Sequence, residues 1–199
     1  MSYHIYQTEG FIIDSKDTGE ANKLVTLFTA DLGLVNAAAQ AVRVQQSKLR
    51  ASLQDLSFAS LALVRGREMW RVTSARKLIS LYDRRIPIGG RMMMARVLAF
   101  VKRMVTGESP NAELFSILRN LSAFCFAERQ QFKTKEGSES VELIATLRIL
   151  EVLGYGTAEE KLKKYVTPMD WTPNLIEAMK GDVDLARLEI SKAIRESHL

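Results

Sequence analysis

The sequence is poor in the residues that make catalysts. It has one cysteine and two histidines in 199 residues. A single cysteine cannot form an internal disulfide. Cys125 falls in an apolar helical pattern with Leu121, Phe124 and Phe126, which reads as a buried structural thiol. The histidines, His4 and His198, stand near the two ends, so a histidine-based triad or a zinc site has almost no material. Neither a phosphate-cradling P-loop nor a dinucleotide glycine loop occurs. No Asp-x-Asp cluster suited to magnesium is present. The nearest is Asp182-x-Asp184, where Asp182 reads more simply as a helix cap. Long apolar runs are also missing: Met92–Phe100 is short and interrupted by Arg96. Met1-Ser2-Tyr3-His4 lacks the basic start of a secretory signal. The expectation is a cytoplasmic binding protein without cofactor or metal, not an enzyme.

Positive charge is what the sequence does have. From Arg43 to Lys135 there are eighteen Lys and Arg against six Asp and Glu, whereas Glu136–Leu199 holds eight against twelve. Such a front points to a polyanionic partner, the plainer alternative being arginines that only solvate exposed faces.

Residues 5 to 82 read as strands. Phe11-Ile12-Ile13 ends in the turn formers Asp14–Gly19, and Leu24–Thr29 follows. Asp31-Leu32-Gly33 offers a hairpin loop, and Leu34–Val42 is a return strand whose alanines would suit a helix equally well. Ser47–Gln54 reads as one or two helical turns. The clearest hairpin is Phe58–Val64 and Met69–Ser74 about Arg65-Gly66-Arg67, with Leu61, Leu63, Trp70 and Val72 in alternating places. Trp70 is in phase with Val72, and therefore reads as core before stacking platform. Five strands with a small insert after the third suit an OB-type barrel, with an SH3-like barrel as runner-up.

Pro87 and Gly89-Gly90 mark a change to helical periodicity. Met93, Val97, Phe100, Val101 and Met104 share one face; Leu114, Ile117, Leu118, Leu121 and Phe124 form a second stripe. Ser109-Pro110 and Ser138 read as helix starts, Gly154 as a stop, and Thr157–Glu160 as a capping box. Thr172-Pro173 starts another helix that Gly181 ends, and a last one runs from Asp182. The expected fold is α+β: an N-terminal five-stranded OB-type barrel over 1–83, then an all-helical domain over 84–199.

The binding candidates follow from charge and placement. Arg43, Lys48 and Arg50 flank the insert, and Arg65, Arg67 and Arg71 surround the hairpin tip. Arg84, Arg85, Arg91 and Arg96 come next in line. Guanidinium groups pair with phosphates in two-pronged geometry, and the lysine adds a point charge, which suits all ten to DNA binding.

Read in order, these pieces resemble the RecO family of DNA repair proteins. The resemblance is carried by Thr8–Ile13, Gly19–Leu24, Leu27-Phe28-Thr29 with Gly33, Ser47–Arg50 and Leu63–Arg67 with Trp70. Glu113-Leu114-Phe115 and Leu147–Tyr155 continue it into the helical half. It implies binding of single- and double-stranded DNA, annealing of complementary strands and assistance to RecA loading. It further implies RecR and the tail of single-strand-binding protein as partners. Two departures stand out. Many members carry a four-cysteine zinc module after the Leu-Gly-Tyr segment, and no cysteine follows Cys125, so Gly156–Trp171 must fold by packing alone. Where the family often has a basic turn, Ala41-Val42-Arg43-Val44 keeps only Arg43. The rival readings are an OB-type RNA-binding protein, or an adaptor gripping an acidic protein tail.

Overall fold

The computed structural model describes residues 4–167 and 170–197, so the His198 of the sequence reading and residues 1–3 lie outside it. The chain divides into two compact units, Met1–Asp83 with Val105–Ala112, and Arg84–Met104 with Glu113–Leu199.

The first unit is a closed barrel of five strands in the order β1-β2-β3-β5-β4. They are β1 (Ile5–Thr18), β2 (Asn22–Thr29), β3 (Gly33–Ala39), β4 (Ser57–Arg65) and β5 (Trp70–Ser80). All neighbours are antiparallel except β3 and β5. This order is that of the expected OB-type fold. Strand β1 is long because two partners share it: Ile5–Ile12 pairs with β4 and Gly10–Thr18 with β2. The register slips between Ile12 and Asp14, and such a bulge bends a strand so that a sheet can curl shut. Inward alternation places Ile12, Val25, Leu27, Val35, Leu61, Leu63, Trp70 and Val72 in one core. The alanines that left β3 ambiguous are explained here. Ala37 lies directly opposite Trp70, so a small residue makes room for the indole. Gly33 sits in the left-handed region at φ 68°, and a Cβ there would strike the backbone of Ser109.

Ser47–Gln54 is not helical. It is a succession of turns, such as Ser47 N–H to the Val44 carbonyl at 3.0 Å, with one helix-like bond from Leu53 N–H to the Leu49 carbonyl at 2.9 Å. Leu53 is buried in the barrel core with Leu49 packed beside it, which fixes the segment before a helix can propagate.

The second unit has α1 (Ile88–Met104), α2 (Ala112–Ala127), α3 (Lys135–Val152), the single turn α4 (Lys163–Val166), α5 (Pro173–Met179) and α6 (Val183–Glu196). Helix α3 is the hub, packed by α1, α4, α5 and α6, and it is buried on nearly every side. Its end is as read. Gly154 takes φ 84°, Tyr155 N–H reaches the Leu150 carbonyl at 2.8 Å, and Gly154 N–H that of Glu151 at 3.0 Å. Thr172 caps α5 ahead of Pro173 as expected, its hydroxyl accepting Leu175 N–H at 3.3 Å.

Four expected caps are corrected. Helix α2 begins at Ala112, not at Ser109-Pro110, because Leu34 N–H holds the Gly107 carbonyl at 3.2 Å and the Ser109 backbone lies against Gly33. Helix α3 is capped by Thr134, whose hydroxyl accepts Gly137 N–H at 3.1 Å, so Ser138 sits within the first turn. Thr157 accepts from Glu159 N–H at 3.0 Å, two residues on, and donates to Glu189 at 3.0 Å. That is a local turn rather than a capping box, and a short 3-10 turn, Glu160–Leu162, follows. Asp182 stands at the N-cap of α6 without capping it; its carboxylate is taken by Tyr165 and Lys164.

Candidate nucleic-acid interface

The parallel pairing of β3 with β5 assembles the site in the barrel unit. Ala38 is level with Arg71 and Ala39 with Val72, so the β4–β5 hairpin lies beside the strand from which the turn segment departs. Arg71 and Leu49 consequently border one depression of about 460 Å³, with Gln40, Val64 and Thr73. A second, of about 430 Å³, is bordered by Lys23, Arg43 and Arg50 with Asp17. Arg71 of the hairpin group and Arg43 and Arg50 of the other, separate along the chain, thus flank one short segment. Residues 41–77 hold eight Lys and Arg against two Asp and Glu, so this flank is strongly basic.

The candidates differ in how they are held. Lys48, Arg50, Arg67 and Arg71 are exposed. Arg43 is anchored, donating to the Gly19 carbonyl at 3.2 Å and pairing with Asp17 at 3.4 Å. Arg65 is held more firmly: its guanidinium lies 5.0 Å above the centre of Trp70, and its Nη1 donates to both Glu108 oxygens at 2.6 Å. The Arg65 guanidinium holds the Glu108 carboxyl below the usual carboxylate range. Trp70 is core, 5% exposed, as its phase with Val72 predicts. Lys23 and Lys77 escaped the sequence reading. Lys23 comes from β2 and borders the same depression as Arg50, and Lys77 of β5 reaches Gln54 of the turn segment at 3.4 Å; only the folded sheet brings these together.

Four candidates fall in the helical unit. Arg84 and Arg85 are exposed, Arg85 lying 5.5 Å over Phe126. Arg91 is half-buried. Arg96 clasps Glu142 through Nε at 2.8 Å and Nη2 at 2.6 Å, and this partner raises its pKa above the ordinary value.

Sequence reasoning also missed Arg148. It is 1% exposed in the middle of α3, where Nε donates to the Tyr165 carbonyl at 2.8 Å and Nη2 to that of Asp170 at 2.9 Å. Its guanidinium stacks 4.3 Å from the Trp171 ring, and burial lowers its pKa to about 10. Beside it, Tyr165 donates to Asp182 at 2.7 Å and Lys164 pairs with the same carboxylate at 2.9 Å. These contacts organise the segment that follows Gly156. Cys125 is fully buried, and that burial pushes its thiol pKa up, which makes it inert. Among the described residues no three His, Cys, Asp or Glu gather to hold a metal, and no helix is long and apolar enough to cross a membrane.

A closed barrel in this strand order, with an arginine-lined flank and a helical unit after it, defines an OB-type barrel protein. Residues 1–81 match the family model described as the N terminal of recombination protein O. The chain is 26% identical over 149 residues to DNA repair protein RecO of Acetivibrio thermocellus, covering 75% of this chain and 57% of that one. To the RecO of Rubrobacter xylanophilus it is 28% identical over 152 residues, covering 76% and 58%. To that of Gloeothece citriformis it is 31% identical over 114 residues, covering 57% and 40%. The N-terminal part of the chain thus matches the RecO family model, and about three quarters of the chain is similar to DNA repair proteins RecO. It spans about half the length of the curated relatives it matches.

Proposed function

We propose that this protein is a DNA-binding recombination mediator that anneals complementary single strands and assists RecA loading on strands coated with single-strand-binding protein. The observation that carries this reading is the basic lining of the barrel unit, where Arg71 borders one depression, Arg43 and Arg50 border another, and Lys48 is exposed on the segment between Arg43 and Arg50. Residues 1–83 are the nucleic-acid-binding barrel and residues 84–199 a helical domain with no zinc module. Arg67 and Arg65 extend the surface to the hairpin tip, and Arg84, Arg85, Arg91 and Arg96 are the secondary surface. Arg96 is the weakest of these, because Glu142 already occupies it. The protein acts in the cytoplasm, without catalysis or cofactor. Holding two polyanions together requires screening and no chemical step, so annealing proceeds without ATP. The test is annealing of labelled complementary strands, with and without ATP, against a control protein of equal charge. Equal annealing by the control, or a requirement for ATP, defeats the reading.

A protein partner has support in the helical unit. Ile88 and Met92 are 67% and 55% exposed, and they border a groove of about 510 Å³ with Phe132, Lys133 and Lys135; the groove's two carboxylates, Glu139 and Glu142, are paired with Arg187 and Arg96. An apolar floor with lysines at its rim suits an acidic tail with apolar side chains, and so supports the tail of single-strand-binding protein as a ligand, alongside RecR. Fluorescence anisotropy of such a peptide against a Lys133→Ala, Lys135→Ala variant tests it; undiminished binding places the peptide elsewhere. Competition between matched DNA and RNA strands tests the RNA-binding alternative.

A further inference from the structure

Arg65 stands apart from the other hairpin arginines because it already holds an anion. Both Glu108 oxygens lie 2.6 Å from its Nη1, and the guanidinium lies 5.0 Å from the centre of the Trp70 ring. Glu108 is delivered by Val105–Ala112, the segment between α1 and α2 that belongs to the barrel unit. Two contacts set its position. Leu34 N–H donates to the Gly107 carbonyl at 3.2 Å, and the Ser109 backbone lies where any side chain on Gly33 would be. The carboxylate is therefore placed by the fold. The pair is nevertheless open to water, with side-chain exposures of 50% for Arg65 and 46% for Glu108. An ion pair so exposed is weak and exchanges its partner readily. A carboxylate and a phosphodiester offer a guanidinium the same feature, two anionic oxygens at one spacing.

We propose that Arg65, seated on Trp70, is a phosphate-binding subsite that Glu108 occupies in the free protein, so that a bound strand exchanges the carboxylate for a phosphodiester. The inference rests on the nucleic-acid reading above and deepens it. Its ligand is the sugar–phosphate backbone, not a base, because Trp70 is buried beneath the guanidinium and has no free face for stacking. Its consequence concerns salt. A phosphate meeting a bare guanidinium releases the cation condensed on it. At Arg65 the displaced carboxylate regains a cation as the phosphate gives one up, so this contact adds little to the salt dependence. Arg67 and Arg71 keep their full contribution.

A double-mutant cycle with a labelled single-stranded oligonucleotide tests this. Glu108→Gln preserves size, removes the charge and keeps one of the two oxygen acceptors. It should tighten binding about fivefold at about 0.1 M salt and steepen log affinity against log salt by about 0.7. Arg65→Ala should abolish that gain in the Glu108→Gln background, and should cost several-fold more there than alone. Thermal unfolding of each variant establishes that it folds. Unchanged affinity in Glu108→Gln, or a gain that survives Arg65→Ala, overturns the subsite while Arg67 and Arg71 still carry binding. If no form binds the oligonucleotide at any salt, subsite and nucleic-acid reading fall together.

Discussion

The two units put arginine to opposite uses. In the barrel unit Arg67 and Arg71 stand in solvent on the sheet flank, where an outside anion can reach them. In the helical unit Arg148 is closed off from water, held by two backbone carbonyls and the Trp171 ring. Removing a guanidinium from water is costly, and the cost is met only where fixed acceptors replace the lost hydration. The carbonyls of Tyr165 and Asp170 are such acceptors, fixed by the chain itself. A DNA phosphate is not part of the fold, so the arginines meant for it must remain hydrated until it arrives. One residue type thus fastens a segment in one unit and receives a ligand in the other.

The largest effect should come from breaking the buried half of this comparison. Arg148→Ala strands two carbonyls and leaves a cavity over Trp171, and should lower unfolding free energy by about 3 kcal/mol. Urea denaturation measures it, and a drop under about 1 kcal/mol would mean the guanidinium is not the fastener. The exposed half responds in binding rather than in stability. Joint replacement of Arg65, Arg67 and Arg71 by Ala should flatten the salt plot by about 0.7 for each phosphate that Arg67 and Arg71 no longer hold. Stability should fall by no more than about 1 kcal/mol, the ordinary worth of an exposed pair such as Arg65–Glu108. An unchanged slope moves the binding face to Arg84, Arg85, Arg91 and Arg96.

A smaller effect, in pH, sharpens the contrast within the helical unit. Lys164, and then Tyr165, hold the Asp182 carboxyl below its ordinary value of 3.8. A depressed folded pKa means that this contribution to stability is complete above the ordinary value and disappears as the pH falls through the folded one. Acid titration of stability below about pH 4 should therefore be shallower in Asp182→Asn than in the parent protein, and identical curves would refute the coupling. The smallest expected effect is none at all. With Arg148 and Asp182 as its polar anchors, the segment after Gly156 should keep its thermal midpoint when a zinc chelator is added. A fall in that midpoint, or stoichiometric zinc in the untagged protein, would show that a metal takes part.

Much of the fold was legible where one residue sets local geometry. The alternation of Leu61, Leu63, Trp70 and Val72 defined a strand pair with those four side chains in the core, and Gly33, Gly154 and Thr172-Pro173 marked the turn, helix stop and helix start found at those positions. Caps were less legible, because a serine or threonine caps only if its backbone is free to enter the helix. Ser109 is pinned beside Gly33, and Ser138 is preempted by Thr134 one turn earlier. The candidate site was legible in its arginines and illegible in their partners. Nothing in the order of residues pairs Arg65 with Glu108, forty-three positions away.

The sequence by itself determined the class of the two halves, the basic balance of the stretch from Arg43 to Lys135 and the absence of material for a histidine- or cysteine-based site, since composition and periodicity act locally. Tertiary structure alone decided which charges are available. Barrel closure through the parallel β3–β5 pair sets Arg71 beside the segment that bears Lys48 and Arg50, and brings Lys23 to Arg43. Chain return places Glu108 on Arg65 and two carbonyls on Arg148. Whether an arginine is hydrated, paired or buried depends on groups distant in sequence, and only the closed fold brings them within hydrogen-bonding distance.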